Sequence, residues 1–320
     1  MRRPVHLRLL GVAAAAALML SACGGGGISN NTSSSGKSCG TFNIAVNPWT
    51  GYVADAYVVG QLAQEKLGCT VNYKDVKEEV GWQGMASGTI DTILENWGHQ
   101  DLVDKYIKQQ KTVEDAGQTG NEGIIGWYVP PWMVQKYPDI TNWQNLNKYA
   151  SLFKTSESGG KGQLLDGDPG FVTNDAALVK NLNLNYKVVF SGSETALIQA
   201  FRQGEAQKKP VIGYFYSPQW LFAEIELVKV KLPTFTVGCD ADPEKIACDY
   251  PDYDLDKIVS KEFADSGSPA YELVRNFRWT NDDQNEVAKS IAEDKLSPEA
   301  AAKKWVDAHA DEVKAWLPKS

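Results

Sequence analysis

From residue 41 to residue 94 the chain alternates short apolar runs with segments in which apolar residues recur at helical spacing. The predicted elements are strands 41–46, 70–76 and 90–94 and helices 52–67 and 81–87. A β-α-β-α-β order of this kind predicts a parallel sheet whose crossovers are right-handed. This region therefore favours an α/β fold.

The same alternation returns in the middle of the chain. A further strand is predicted at 123–129, and Pro130 and Pro131 end it. The elements that follow are strands 163–165, 187–190 and 211–216 and helices 175–181 and 194–203. A second α/β unit is therefore predicted after the two prolines.

These two units predict a protein of two lobes. The segment 227–232 is interpreted as a return crossing to the first lobe, and the tail from Pro269 is predicted to form three helices. The predicted lobes are 39–129 plus 227–320 and 130–226, with a cleft between them. Two lobes joined by two crossings of the chain, one after residue 129 and one at 227–232, predict a clam-like molecule.

The N-terminus is typical of an exported lipoprotein. Three arginines precede an apolar run at 9–20, which is too short to span a bilayer as a permanent helix. Leu-Ser-Ala-Cys at 20–23 resembles a bacterial lipobox, so residues 1–22 are a predicted signal peptide and Cys23 a predicted acylation site. Residues 23–38 are a predicted flexible tether. We expect a lipid anchor on the extracytoplasmic face of the cell membrane; a secreted protein with a coincidental cysteine is the alternative.

Four cysteines remain once Cys23 carries lipid, and an even number in an exported protein indicates disulfides. Cys239 and Cys248 bracket a loop rich in Asp and Pro, which a bridge would constrain. Cys39 and Cys69 each precede a predicted strand, and parallel neighbours would bring them side by side. Of three connectivities we prefer Cys39–Cys69 with Cys239–Cys248. Free buried thiols are the alternative.

Charge and histidine content exclude several classes of function. The net charge is −8 and no basic run lies beyond the first ten residues, which argues against a nucleic-acid partner. With three histidines, a His-rich metal site is excluded, and we expect no cofactor. A hydrolase is the less favoured alternative, because no Gly-x-Ser-x-Gly motif is present and no motif supports a glycosidase carboxylate pair. We therefore predict that the protein is not an enzyme.

Aromatic residues follow the predicted strands where ligands bind in open α/β sheets, at the carboxyl ends. Trp49 follows the first strand, Trp97 the third, and Phe171 the first strand of the second lobe, while Tyr216 ends the strand 211–216. Converging ring faces carry negative potential and suit a quaternary ammonium group, which has no N–H to donate. The alternative is that these rings belong to the core.

Other aromatic residues are less informative. Trp127 and Tyr128 lie near the crossing between the lobes, and strand alternation lets only one of the two face the cleft; Trp127 is our candidate. The remaining candidates for the core are Trp82, Trp132, Trp143, Trp305 and Trp316. The cleft is therefore predicted to use only part of the aromatic content.

Four segments carry a family resemblance: 47–52, 95–97, 168–171 and 213–220. They resemble the substrate-binding proteins of glycine-betaine/proline-betaine/choline ABC transporters. The resemblance covers about residues 40–318, and its most specific parts are the pair 96–97 and the block 216–220. It implies a hinged, two-lobed periplasmic-binding-protein fold of type II. The implied function is a solute receptor of an ABC importer, with a permease and an ATPase as partners.

The resemblance also implies roles for individual residues. Trp97 matches a cage tryptophan, and Phe171 and Tyr216 occupy positions that are often Trp. The main-chain N–H groups of Val172 and Thr173 match donors that receive a betaine carboxylate. Such a protein encloses a trimethylammonium group between its lobes.

Two acidic residues depart from the family pattern. Where some relatives have a carboxylate-binding histidine, this chain has Asp101, although His99 is close by. Asp101 would repel a carboxylate and favour choline; alternatively it is a solvated residue of a first helical turn. Glu95, just before Trp97, is interpreted as a further negative charge for the cleft. The predicted ligand is a betaine or choline, and a ligand-sensing receptor domain of the same fold is the alternative to transport.

Overall fold

The computed structural model describes residues 39–171 and 173–319. The predicted signal peptide 1–22, the tether 23–38 with its acylation site Cys23, and the predicted donor Val172 lie outside the described residues. Within the two described ranges, no helix combines the length and the apolar content that crossing a membrane requires.

The strands of the described ranges pair into one mixed sheet. They are β1 (Thr41–Val46), β2 (Thr70–Asp75), β3 (Thr92–Asn96), β4 (Val113–Val129), β5 (Gly162–Asp166), β6 (Tyr186–Phe190), β7 (Gly213–Ser217), β8 (Val228–Lys229) and β9 (Asp252–Ser260). Their order is β2-β1-β3-β9-β4-β7-β5-β6, and β8 pairs with β4. β1 is parallel to β2 and β3, and β5 is parallel to β6 and β7, as the alternation predicted.

Helices connect these strands and form the C-terminal tail. They are α1 (Thr50–Leu67), α2 (Glu78–Ala86), α3 (Gln100–Leu102), α4 (Pro131–Lys136), α5 (Leu146–Tyr149), α6 (Asp175–Asn181), α7 (Glu194–Ala206), α8 (Lys261–Asp265), α9 (Pro269–Asn276), α10 (Asn281–Ala292), α11 (Pro298–Ala308) and α12 (Ala310–Trp316). The tail from Pro269 thus forms four helices rather than the predicted three, because His309 ends α11 and a new helix begins at once.

The long strands β4 and β9 join the two parallel parts of the sheet. β9 is antiparallel to β3 on one side and to β4 on the other. On its opposite edge, residues 124–128 of β4 pair with β7. The predicted lobe boundaries fall at the end of β4 and just before β8, and the division into lobes 39–129 plus 227–320 and 130–226 stays a prediction.

The extent of β4 and the presence of β9 differ from the sequence predictions. β4 begins at Val113, ten residues before its predicted start, and no strand was predicted at Asp252–Ser260. Residues 113–122 are rich in Asp, Glu and Gly, and β9 has Asp at 252, 254 and 256; these residue types are depleted in strands, so pairing with neighbours overrides their local preference. Lys257 of β9 is fully buried and donates to the carbonyls of Arg275 and Phe277.

Helix α1 is buried on most of its circumference. It contacts β1 and β2 on one side and α10 and α11 on the other. Gly68 ends it with a φ of 68°, the left-handed conformation that glycine adopts without steric cost. Of the five tryptophans interpreted as core residues, four are buried: Trp82, Trp132, Trp305 and Trp316. Trp143 is half-buried and packs against the core.

The four described cysteines form the two preferred pairs. Cys39 is joined to Cys69, at the starts of the parallel strands β1 and β2, where Thr41 pairs with Thr70. Cys239 is joined to Cys248 and closes a loop between β8 and β9. The first bridge therefore ties two neighbouring strands together, and the second constrains a segment without helix or strand.

Asp256, in the middle of β9, holds a charge that opposes folding. Its carboxylate accepts a hydrogen bond from Asn96 Nδ2 at 2.7 Å. Burial nevertheless raises the pKa of Asp256 from 3.8 to about 6. Because the folded pKa lies above the unfolded value, stability falls as the pH rises from about 4 to about 6, and the loss persists above pH 6.

Asp256→Asn should therefore stabilise the protein at neutral pH. We expect the free energy of unfolding in urea to rise by about 2 kcal/mol more at pH 7.5 than at pH 4, because only the carboxylate ionises. Asp254→Asn, an exposed change on the same strand, is the control. An equal effect of Asp256→Asn at both pH values would contradict the ionisation argument.

Candidate functional site

A cavity of about 480 Å³ lies at the carboxyl ends of the parallel strands. Trp49, Trp97, Phe171 and Tyr216, the four aromatic residues predicted at strand ends, all line it. Ring centroids are 5.8 Å apart between Trp97 and Tyr216 and 5.7 Å apart between Trp49 and Phe171, and both pairs meet edge to face. We call these four rings the cage.

The cage draws one ring pair from each part of the sheet. Trp49 and Trp97 follow β1 and β3, whereas Phe171 follows β5 and Tyr216 belongs to β7. The Trp97 ring lies directly on β4, because a Cβ atom at Gly123 would come within 2.6 Å of it. The glycine therefore lets a large ring rest against the strand that joins the two parts.

Three tyrosines that the sequence analysis did not select extend the aromatic wall. Tyr253 lies 5.5 Å from the ring of Trp97, and Tyr214 lies 6.1 Å from Phe171 and 6.4 Å from Tyr250. All three line the cavity. Tyr214 precedes Tyr216 by two residues, so strand alternation was a usable signal for it. The other two flank the start of β9, which was not predicted.

Glu95 fixes both tryptophans of the cage from behind. The indole N–H groups of Trp49 and Trp97 donate to the same oxygen, Oε1, at 2.8 and 2.7 Å. Gln284 Nε2 donates to Oε2 at 2.6 Å. Glu95 is only 1% exposed and does not line the cavity, so the interpretation of Glu95 as a charge in the cleft was wrong. Its carboxylate orients the rings instead.

Asp55 on α1 is a second buried acid, and it interacts with Glu95. Burial, and after it the charge of Glu95, raises the pKa of Asp55 well above its ordinary value. Burial also raises the pKa of Glu95, but hydrogen bonds from Asp55 and from the indoles oppose the rise. Of the two acids, Asp55 has the more strongly raised pKa and takes up a proton more readily, and Glu95 is the acceptor of the two indoles.

The polar part of the wall is acidic. Glu79, Asp101, Asp104 and Asp240 line the cavity, and among its described lining residues there is no Lys or Arg. Asp101 is exposed, so it stands at the mouth rather than beside the rings. The cavity therefore presents aromatic faces in its interior and negative charge at its entrance.

His99 is the one described lining side chain that can carry a positive charge near neutral pH. Its Nε2 lies 2.8 Å from Glu78 Oε1, and both side chains are largely buried. Burial lowers the pKa of His99, but the Glu78 carboxylate and then Asp101 more than offset this, so the pKa is raised. The Glu78 carboxylate is thus the partner of the His99 ring on the cavity wall.

Thr173, which was predicted to help bind a ligand carboxylate, is close in sequence to two buried acids, Asp166 and Asp175. Thr173 lines the cavity, and its hydroxyl donates to Asp166 at 2.9 Å. Asp175, at the start of α6, is fully buried, and burial followed by the charge of Asp166 raises its pKa well above the ordinary value. The Thr173 hydroxyl is thus committed to the protein.

Trp127 does not reach the cavity, contrary to the sequence prediction. It is 1% exposed, and its indole N–H donates to Asp175 at 2.8 Å. Tyr128 is not a lining residue either, and Ile125 of the same strand lines the wall in their place. The hydrogen bond to Asp175 places this ring in the interior, where it holds the acid behind the cavity wall.

The disulfide loop between Cys239 and Cys248 closes one side of the cavity. Asp240, Ala241, Pro243 and Ile246 of this loop are lining residues. Asn181 Nδ2 of α6 donates to the carbonyl of Ile246 at 2.8 Å. Tyr250, just after the loop, donates to Asp175 at 2.8 Å. The loop is therefore attached to α6 as well as closed by its own bridge.

Comparison with known proteins gives a consistent result. A family model described as the substrate binding domain of ABC-type glycine betaine transport systems matches residues 40–308. A trimethylamine N-oxide-binding protein of Pelagibacter ubique is 25% identical over 295 residues, which are 86% of this chain and 89% of that protein. A glycine betaine/carnitine transport binding protein of Listeria monocytogenes is 27% identical over 126 residues, which are 39% and 38% of the two chains.

Solved structures show the same fold. Lactococcal OpuAC, crystallised closed with glycine betaine, matches with a TM-score of 0.65 and 24% identity, covering 87% of this chain and 99% of that one. A choline-binding protein of an ABC transporter, in complex with choline, matches with a TM-score of 0.71 and 17% identity, covering 87% and 92%. The described chain thus has the two-lobed fold of periplasmic binding proteins.

Glu95→Gln should release both cage indoles at once, because a neutral amide oxygen replaces the charged acceptor of two N–H donors. We expect the indole N–H proton resonances of Trp49 and Trp97 to move upfield and to exchange faster with solvent in ¹H–¹⁵N spectra. Trp132, whose indole donates to the carbonyl of Gly204 at 2.8 Å, is the internal control. A change confined to one cage indole would contradict the shared acceptor.

Proposed function

This chain belongs to the family of substrate-binding domains of ABC-type glycine betaine transport systems, and on that premise we propose that it binds a quaternary ammonium compound, glycine betaine or a related betaine or choline, in the cage. One observation carries the proposal: Trp49, Trp97, Phe171 and Tyr216 converge on a single cavity from both parts of the sheet. The protein is a substrate-binding protein of the betaine/choline type of ABC transporter.

The cage suits a permanent cation for a physical reason. A trimethylammonium group spreads its charge over methyl groups and donates no N–H hydrogen bond, so water solvates it less strongly than a primary ammonium. Each ring face contributes about 0.5–2 kcal/mol to its attraction beyond the burial of its methyl groups. The two indoles are held by Glu95, so the cage loses little side-chain entropy when a ligand enters.

We propose that the ligand leaves chemically unchanged, which makes the protein a receptor and not an enzyme. The rings act by dispersion and electrostatics, and His99 on the wall is engaged by Glu78. Closure of the two parts around the ligand would remove it from water and present one shape to a permease with its ATPase. Differential affinity for the closed form would drive that closure.

The identity of the ligand depends on the group that it carries beside the ammonium. The Thr173 hydroxyl and the His99 ring, which could donate to a carboxylate, are engaged by Asp166 and Glu78, and Asp101 and Asp240 on the wall would repel a carboxylate. The relative from Pelagibacter ubique is a trimethylamine N-oxide-binding protein, so an amine oxide belongs among the candidates. The acidic wall favours choline, which has no carboxylate.

We also propose that the mature protein is anchored to the extracytoplasmic face of the cell membrane by lipid on Cys23. The support is the sequence alone: the basic and apolar residues of 1–22, the Leu-Ser-Ala-Cys segment and the Gly- and Ser-rich tether 23–38. A tether of this composition would let the binding domain reach a neighbouring permease.

Removal of a cage ring should weaken ligand binding. Trp97→Ala and Tyr216→Ala should each raise the Kd by about one to two decades, at 1.4 kcal/mol per decade, because each ring loses cation–π contact and burial. Calorimetric titration with glycine betaine, proline betaine, carnitine, choline and trimethylamine N-oxide measures this. Phe190→Ala, which removes a half-exposed ring away from the cavity, is the control.

The same titrations test the ligand class and the part played by Asp101. Choline should bind more tightly than glycine betaine, and Asp101→Asn should narrow that difference, because it removes a charge that repels the carboxylate. Unchanged affinity for every compound in both ring variants would contradict the cage. An unchanged choline-to-betaine ratio in Asp101→Asn would make Asp101 an ordinary solvated residue.

Lipid attachment is tested on cells that express the full chain. Labelled palmitate should be incorporated into the wild-type protein, and Cys23→Ala should abolish the label and release the protein from the membrane fraction. Cys39→Ala, which leaves the lipobox intact, is the control. Label that persists without Cys23 would contradict the proposed anchor.

A further inference from the structure

Helix α1 begins without a cap of its own. Its N-cap position is Trp49, whose side chain makes no capping hydrogen bond and points into the cavity, and no acidic residue lies in its first turn. The first backbone N–H groups of a helix need an acceptor from elsewhere. The N-terminus of an 18-residue helix therefore depends on another segment.

Glu194, 144 residues along the chain, supplies that acceptor. Its Oε2 accepts from the backbone N–H of Thr50 at 2.9 Å and from the Thr50 hydroxyl at 2.5 Å. Glu194 is the first residue of α7, whose own N-cap is Ser193, accepting from the N–H of Ala196. The Glu194 side chain is therefore free to serve α1 rather than its own helix.

The other oxygen of Glu194 holds a cage residue. Oε1 accepts from the hydroxyl of Tyr216 and from Gln219 Nε2, the latter at 3.0 Å. Two donors thus come from Thr50, next to the cage residue Trp49, and two from the segment 216–219. One carboxylate joins the two sides of the cage.

Part of the stabilisation of the Glu194 carboxylate comes from the other part of the sheet, through Thr50 and the N-terminus of α1. The side chain is buried, with 4% exposed, and the positive ends of the α1 and α7 dipoles both meet it. Farther along α7, Arg202 makes a second link across the same boundary, to Glu293 at the end of α10, at 3.0 Å. Separation of the parts would leave Glu194 with the donors of its own side and water.

We propose that Glu194 is a positioning residue that latches the closed form and holds the Tyr216 ring in the cage. The proposal rests on the proposed function, in that closure and release of a ligand are what the latch controls. Neither Glu194 nor Thr50 lines the cavity, so both act on the ligand through Tyr216 and through the contact between the two parts. Ligand release requires the Thr50 contacts to break.

The test uses variants that leave every cage ring in place. Glu194→Gln keeps the size of the side chain but removes its charge and half of its acceptor capacity, and Thr50→Val removes only the hydroxyl donor. Glu205→Gln, on the same helix and paired with Lys208, is the matched control. Stopped-flow titration with the tightest-binding compound of the panel gives kon and koff, and thermal melting reports the fold.

We expect koff to rise about tenfold in Glu194→Gln and about threefold in Thr50→Val, with kon within about twofold of the wild type, because the latch forms after encounter. The double variant should exceed Glu194→Gln by less than about twofold, since both changes break one interaction. Effects that multiply, or a koff equal to that of the wild type in both single variants, would overturn the latch.

A ligand-free measurement separates the latch from the proposed function. Fluorophores on the exposed positions Val80, on α2, and Phe190, at the end of β6, report the closed fraction by energy transfer within single molecules. Glu194→Gln should lower that fraction and Glu205→Gln should not. If the wild type binds no compound of the panel, the proposed function fails. The latch is then judged by the closed fraction alone and is overturned if Glu194→Gln leaves it unchanged.

Discussion

The hydrogen bonds from the indoles of Trp49 and Trp97 to one oxygen of Glu95 define the rigid side of the cavity. Because both N–H groups share an acceptor, neither ring can turn without disturbing the other. A carboxylate behind an indole also polarises its N–H bond and makes the ring face more negative, which favours a cation in front of it. The negative charge of Glu95 thus contributes without occupying space that a ligand needs.

The location of the cage could be predicted from the sequence because it follows from topology. Parallel strands bring their carboxyl ends to one edge, so an aromatic residue after each strand must come near the others. This argument located Trp49, Trp97, Phe171 and Tyr216. It could not locate Tyr250, just before β9, or Tyr253 within it, since a strand rich in aspartate gives no local signal and forms by pairing between β3 and β4.

The orientation of the acidic side chains could not be predicted from the sequence, for a different reason. Glu95 precedes a cage residue, and its sequence neighbours do not reveal whether it faces the ligand or the interior. Gln284, 189 residues away, fixes its orientation. Glu194 likewise has the appearance of an ordinary acid in a first helical turn, and only the tertiary fold brings Thr50 to it. Such roles depend on contacts between distant segments, which local patterns do not encode.

Glu95 and Glu194 each fix the orientation of cage side chains through hydrogen bonds, one on each side of the cage. Each is a buried carboxylate, and a buried charge is tolerated only while hydrogen-bond donors surround it. Among those donors are cage side chains themselves: the indoles of Trp49 and Trp97 for Glu95, and the hydroxyl of Tyr216 for Glu194. The dependence is mutual: the carboxylates orient the rings, and the N–H and O–H groups of the ring side chains supply the hydrogen bonds that the buried carboxylates need. A phenylalanine at position 216 would keep an aromatic face yet leave Glu194 short of a donor, which gives the tyrosine hydroxyl a role separate from the ring.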